Sequence, residues 1–218
     1  MKKYGIIGGT FDPIHNAHLY IAYEAKKILG LDRVIFIPNG SPPHKKEKSI
    51  TGASLRYEMV LRAIEGFKEF EVSDYEIKKE GLSYTYKTLK HFKKDDVTLY
   101  FITGADCLVD LEKWKNVSEI FALCNLVVFT RPGFREEDLK DEKERLEKKY
   151  NGKIIFLNVL DLEISSTEIR KRIEEGNRVD FFLPNKVLDV INRENLYNEG
   201  KWYGNYLYIW LFKRKFTT

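Results

Sequence analysis

"IGGTFDPIHNAHL", residues 7–19, decides how this chain is read. Before it, "KYGIIGG" (3–9) is a short apolar run ending in glycines, the pattern of a buried strand leaving its sheet at Gly8 and Gly9. Asp12 and Pro13 set a turn. Beyond it, Ile21, Ala22, Ala25, Ile28 and Leu29 recur on one helical face, and Gly30 closes that helix as a C-cap. The motif is therefore strand, loop, helix. Its glycines allow close backbone approach, Asn16 is the expected N-cap, and the helix start offers unpaired amides to an anion. His18 precedes Ile21 and Ala22 by three and four residues and shares their inward face, with His15 one turn earlier. One histidine there would be a cap or core residue; two on one face after a glycine pair point to phosphate.

The same alternation runs on through the chain. "DRVIFIP" (32–38), "FEVSDYEI" (70–77), "DVTLYFITG" (96–104), "NLVVFTRPG" (125–133) and "KIIFLNV" (153–159) read as strands. Helices are expected over 53–66, 83–94, 105–114, 116–124 and 135–150, with two more starting near Ser166 and Leu183. Strands alternating with helices predict a doubly wound α/β fold, a mainly parallel sheet with helices on both faces. No repeat or low-complexity linker divides the chain. One domain is expected over 1–197, followed by a tail, 198–218, of unassigned role.

The bulk properties are those of an ordinary globular protein. The 218 residues are 43% hydrophobic and 32% charged, enough for a substantial core and too interrupted by charge for a membrane span. A net charge of +4, from 37 basic and 33 acidic residues spread along the chain, lacks the clustered field of a nucleic-acid binder. Cys107 and Cys124 lie in apolar segments at a spacing that suits neither a redox pair nor zinc, and read as two buried thiols in a reducing cytosol. The start "MKKYGIIGGTF" is too short an apolar run for a signal peptide, so a cytoplasmic protein is expected. The aromatic, basic stretch "KWYGNYLYIWLFKRKFTT" (201–218) is too short to span a bilayer and reads as an added strand or packing tail, ahead of an interfacial anchor or an oligomer contact.

A second constellation lies at 164–173, "ISSTEIRKRI". Ser165 and Glu168 make a capping box. The same hydroxyls and free helix amides, followed by Arg170 and Arg172, would also suit a polyphosphate. The opening motif is neither G-x-G-x-x-G nor a Walker loop, its H-x-x-H lacks the spacing and glutamate of a zincin, and His44 and His91 show no ligand grouping. No protein metal site is predicted.

Together, "GGTFDPIHNAHL" and "ISSTEIRKRI" resemble the nucleotidyltransferase superfamily with its H-x-G-H and distal S-S/T-x-x-R motifs. The resemblance is closest to the bacterial nicotinate-nucleotide adenylyltransferase family and continues through "PNGSPPHK", "LSYTYKTL", "ITGADCLVDLEKWKNVSEI" and "VVFTRPG", covering residues 3 to 197. It implies a Rossmann-like fold and adenylyl transfer from ATP to nicotinic acid mononucleotide, giving deamido-NAD and pyrophosphate, with Mg²⁺ carried on the ATP. It implies His18, His15 and Arg170 as the catalytic set. Gly8, Gly9, Thr10, Phe11, Asp106, Ser166 and Thr167 would join them around ATP, with Asp106 on the ribose hydroxyls. Asn39, Lys45, Thr85, Trp114 and Arg131 would hold the mononucleotide, Thr85 and Trp114 at its pyridine ring and carboxylate. Ala17 stands where the family motif has glycine. Rival readings are the same chemistry on nicotinamide mononucleotide or phosphopantetheine, and a nucleotide-binding regulator without catalysis. The oligomeric state is left open, a homo-oligomer included.

Overall fold

The computed structural model describes residues 1–40, 50–129, 136–160 and 162–198. Its centre is a six-stranded, all-parallel sheet in the order β3-β2-β1-β4-β5-β6. The strands are β1 (Lys2–Gly9), β2 (Arg33–Pro38), β3 (Phe70–Val72), β4 (Val97–Gly104), β5 (Cys124–Phe129) and β6 (Ile154–Leu157). The helices are α1 (Asn16–Leu29), α2 (Ala53–Ala63), α3 (Tyr75–Lys78), α4 (Thr85–Phe92), α5 (Ala105–Val109), α6 (Val117–Leu123), α7 (Glu136–Tyr150), α8 (Ser166–Glu174) and α9 (Asn185–Arg193).

Period-two alternation of apolar residues divides the core between the two faces of the sheet. Ile7, Val34, Phe36, Ile102, Val127 and Phe129 point to the face covered by α1, α2, α8 and α9. Ile6, Ile35, Ile37, Leu99, Phe101, Leu126 and Val128 point to the other, covered by α4, α5, α6 and α7. The doubly wound architecture is as expected.

The topology also places the crevice. Strand order reverses between β1 and β4, both of which run to the same carboxyl edge. β1 stays paired with β2 out to Gly9 opposite Pro38, whereas its pairing with β4 ends at Ile7 opposite Ile102. The two central strands therefore part at their carboxyl ends, where open parallel sheets bind ligands.

Several expectations need correction. Only Phe70–Val72 of the segment 70–77 is a strand, and Tyr75–Lys78 turns into a helix. Ile28 is 52% exposed, so the inward face of α1 is carried by Ala17, Ile21, Ala22 and Ala25. Cys124 is buried, and burial pushes its thiol up to about 12, but Cys107 is only partly buried. Gly30 does close α1, in the left-handed conformation at φ 61°. Lys45, Arg131, His44 and the stretch 201–218 lie outside the described residues. Among the described residues no helix is long and apolar enough to cross a membrane.

Candidate active site

The loop from β1 into α1 is folded inward. Phe11 takes a left-handed backbone at φ 50°, uncommon for a non-glycine residue, and its ring is buried edge-on to His18 (centroids 5.1 Å) and near Phe36 (5.9 Å). Gly9 is required beside it, because a Cβ there would fall 2.9 Å from the Phe11 ring. The Asp12–Pro13 peptide is cis. The cap of α1 is His15, not Asn16. Asn16 opens the helix instead, its backbone N–H bonded to Phe182 O (2.9 Å) and its side-chain amide to Phe181 O (3.2 Å).

His15 and His18 stack with centroids 3.7 Å apart, His15 buried and His18 half-buried at the helix start. The His15 backbone N–H donates to His18 Nδ1 at 3.2 Å. With Nδ1 accepting, a neutral His18 ring carries its proton on Nε2 and is a donor there. Ala17, which replaces the motif glycine, is 3% exposed, so its methyl group is turned away from solvent.

The second motif docks directly onto this loop. Ser165 caps α8 by accepting from the Glu168 N–H at 3.2 Å, which is one half of the expected capping box, while the Glu168 carboxylate is turned to Arg172. The Ser166 hydroxyl donates to Pro13 O (2.9 Å), and Arg170 Nη1 donates to Asp12 O (2.7 Å) while Nη2 donates to Thr167 Oγ1 (3.3 Å). Two motifs about 150 residues apart thus share one loop. Arg170 keeps guanidinium donors beyond these two bonds. Arg172 is diverted: it pairs with Glu168 at 3.0 Å and lies over the Phe182 ring.

Other expected residues lie around the same carboxyl edge. Gly8, Gly9 and Thr10 leave the end of β1, and Asp106 is exposed in the first turn of α5 at the end of β4. Asn39 follows β2 and donates its N–H to Gly9 O at 2.9 Å. Thr85 is the first residue of α4. Trp114 is half-buried after the short turn Leu111–Lys113, edge-on to Phe101. Lys115 lies 4.9 Å from the Tyr84 ring, so the Trp114 segment and the start of α4 are neighbours.

Two residues beneath the site, Arg56 and Tyr197, were not singled out by motif, and a third, Asp12, was read only as part of a turn. Arg56 is 1% exposed, and its guanidinium donates to Thr51 O (2.8 Å), Thr10 O (2.7 Å) and Asn39 O (2.6 Å). Burial lowers its pKa and the charge of Asp12 works against that, but a guanidinium stays protonated. Its spacing holds the missed signal: Arg56, Met59, Val60 and Ala63 form the buried stripe of α2, so an arginine occupies a core position. Asp12, read as a turn residue, is 4% exposed; it accepts from the Thr51 N–H (3.2 Å) and the Tyr197 hydroxyl (2.6 Å). Burial, followed by the charge of Asp12, pushes the Tyr197 phenol upward and keeps its proton in place.

A family model described as cytidylyltransferase-like matches residues 6–172. A Clostridium botulinum protein (strain Eklund 17B, type B) named a nicotinate-nucleotide adenylyltransferase is 60% identical over 199 residues, 91% of this chain and all of the relative. The chain belongs to the nicotinate-nucleotide adenylyltransferase family. In fold it is similar to the Plasmodium falciparum nicotinic acid mononucleotide adenylyltransferase solved with NaAD (TM-score 0.74, 24% identity, 90% of this chain and 98% of that one). The same parasite enzyme solved with APC gives a TM-score of 0.73 at 23% identity, with the same coverage. In this member of the family the loop after β1 is held by Arg56 and Tyr197 on one side and by Ser166 and Arg170 of α8 on the other.

Tyr197→Phe removes the donor to a buried carboxyl group and should lower unfolding free energy by about 1.5–3 kcal/mol, as for hydrogen bonds to charged groups. Chemical denaturation measures this; wild-type stability would mean that the bond contributes nothing.

Proposed function

We propose that this enzyme transfers the adenylyl group of ATP to nicotinic acid mononucleotide, forming deamido-NAD and pyrophosphate. The observation that carries the reading is the docking of Ser166 and Arg170 onto the Asp12–Pro13 carbonyls, which gathers His15, His18 and the arginine at the start of α1. A phosphate oxygen of the mononucleotide attacks the ATP α-phosphorus in line. The new P–O bond forms as the bond to the β-phosphate oxygen breaks, and pyrophosphate leaves with that electron pair. No covalent enzyme intermediate is needed, so the protein contributes positioning and charge stabilisation.

In this reading Gly8, Gly9, Thr10 and Phe11 shape the approach of the nucleotide to the first turn of α1. His18 donates from Nε2 to the α-phosphate as it becomes pentacoordinate. His15 supports it by stacking. Arg170 uses its remaining donors on the triphosphate, beside the amides of Ser166 and Thr167, which precede the first intrahelical bond of α8, Ile169 N–H to Ser165 O. Asp106 accepts from the ribose hydroxyls. Trp114 offers an indole face to the pyridine ring and Thr85 a helix N-terminus to its carboxylate, with Asn39 alongside. Lys45 and Arg131 are assigned to the mononucleotide phosphate.

The donors around the triphosphate are imidazole, guanidinium, hydroxyl and amide N–H and O–H groups, which suit phosphate oxygens. Mg²⁺ therefore fits as an ion carried on ATP, held by phosphate oxygens and water, where it supplies charge neutralisation. A cytoplasmic setting fits these substrates.

Nicotinic acid mononucleotide should be strongly preferred to its amide, because donors arranged for a carboxylate are left unpaired by an amide. Pyrophosphate release with each acceptor measures this; equal rates, or preference for phosphopantetheine, would contradict it.

His18→Ala removes a donor that meets charge developed in the transition state. By analogy with a lost oxyanion donor, kcat should fall roughly 10²- to 10³-fold, about 3–4 kcal/mol, with little change in KM. Steady-state kinetics beside a thermal melt decide it. Activity within a few-fold of wild type, or simple unfolding, would make His18 a packing residue.

A further inference from the structure

Glu76 is an acid placed where an apolar side chain would fill the space more cheaply. It lies in α3, is 5% exposed, and burial raises its carboxyl pKa, an effect that the neighbouring Thr88 and Ser83 hydroxyls partly offset. The Thr88 hydroxyl, itself 3% exposed, donates to Glu76 Oε1 at 2.5 Å. Ser83 immediately precedes Tyr84, the N-cap of α4, and Thr88 sits one turn into that helix. The carboxyl group therefore bonds the first turn of α4 through Thr88, while Glu76 Oε2 and the Ser83 hydroxyl just before that helix are buried without a hydrogen-bond partner among the described residues.

The backbone of the same residue makes a second junction. A Cβ on Gly40 would lie 2.0 Å from Glu76 O, so the chain leaving β2 passes α3 at a distance only glycine permits. Gly40 follows Asn39, which is bonded to Gly9 through its N–H and to Arg56 through its carbonyl. Glu76 thus touches the Asn39–Gly40 segment through its carbonyl and the opening of α4 through its carboxyl. Asn39 and Thr85 lie on these two segments, and Trp114 neighbours the second through Lys115 and Tyr84.

We propose that Glu76 is a positioning residue for the acceptor substrate: it sets the separation of the β2 end from the α4 N-terminus, and with it the slot that receives the pyridine mononucleotide. The proposal rests on the acceptor assignment made above. In the assignment above ATP is held chiefly by the first turn of α1 and by α8, on the sheet face opposite α4, so the loss of the Glu76 carboxyl group should weigh mainly on the acceptor.

The test is the KM for each substrate, with kcat and a thermal melt, in wild type, Glu76→Ala, Glu76→Gln and Thr88→Val. Glu76→Ala should raise the KM for nicotinic acid mononucleotide about tenfold or more, leaving kcat and the KM for ATP within about twofold. Glu76→Gln, whose carbonyl can still accept from Thr88, should return that KM to within about threefold of wild type. If Glu76→Ala does not fold, Thr88→Val carries the test, because it deletes the same bond at nearly constant shape and should raise the acceptor KM about threefold or more. A lowered melting temperature with both KM values unchanged, or an equal rise in both, overturns the proposal while the functional reading stands. Wild-type enzyme that releases no pyrophosphate with this acceptor overturns the functional reading and the proposal with it.

Discussion

The site depends on a single buried cation. Three chain segments converge at the carboxyl edge of the sheet: the loop after β1, the end of β2 and the lead-in to α2. Each brings a backbone carbonyl, from Thr10, Asn39 and Thr51, into a region with little access to water. Unpaired, each would cost about 1–3 kcal/mol. The Arg56 guanidinium answers all three with one planar fork, at 2.6–2.8 Å. Lysine, a compact charge on a flexible stem, has no such fixed geometry. Burying the charge is costly, and the three charge-assisted bonds together with nearby Asp12 offset that cost.

From that anchor the rest of the site follows outward. Asp12 is bonded to Thr51 and Tyr197 through its carboxyl group and to Arg170 through its carbonyl. The loop that carries Phe11, His15 and His18 is therefore held from below by α2, from the C-terminal side by Tyr197 and from above by α8. Residues far apart in sequence share one loop, and its geometry is set before substrate arrives. Such preorganisation is what a reaction without a covalent intermediate requires of its protein.

Much of this was legible in the sequence wherever the signal was local. Apolar runs punctuated by glycine marked the strands, the inward spacing of His15 and His18 put them together, and Ser165 with Glu168 marked the cap of α8. Signals failed where a tertiary partner decides the outcome. "FEVSDYEI" has strand composition, but β3 ends at Val72, and the Glu76 side chain is claimed by Thr88. Asn16 is a better intrinsic cap than histidine, yet contacts with Phe181 and Phe182 draw it into the helix. Arg172 resembles Arg170 by composition, but an ion pair with Glu168 and the Phe182 ring take it elsewhere. Asp12 and Tyr197 lie 185 residues apart, and no sequence period relates them.

The central claim, that a planar guanidinium beneath the loops sets the catalytic geometry, is tested most directly by Arg56→Lys, which keeps the charge and discards the fork. Denaturation and steady-state kinetics on the purified variant give the two readouts. Stability should fall by about 2 kcal/mol or more as carbonyls lose their partners, and turnover per folded molecule should fall at least about tenfold as the loops lose their spacing. A folded Arg56→Lys enzyme with wild-type kcat and both KM values unchanged would contradict the account.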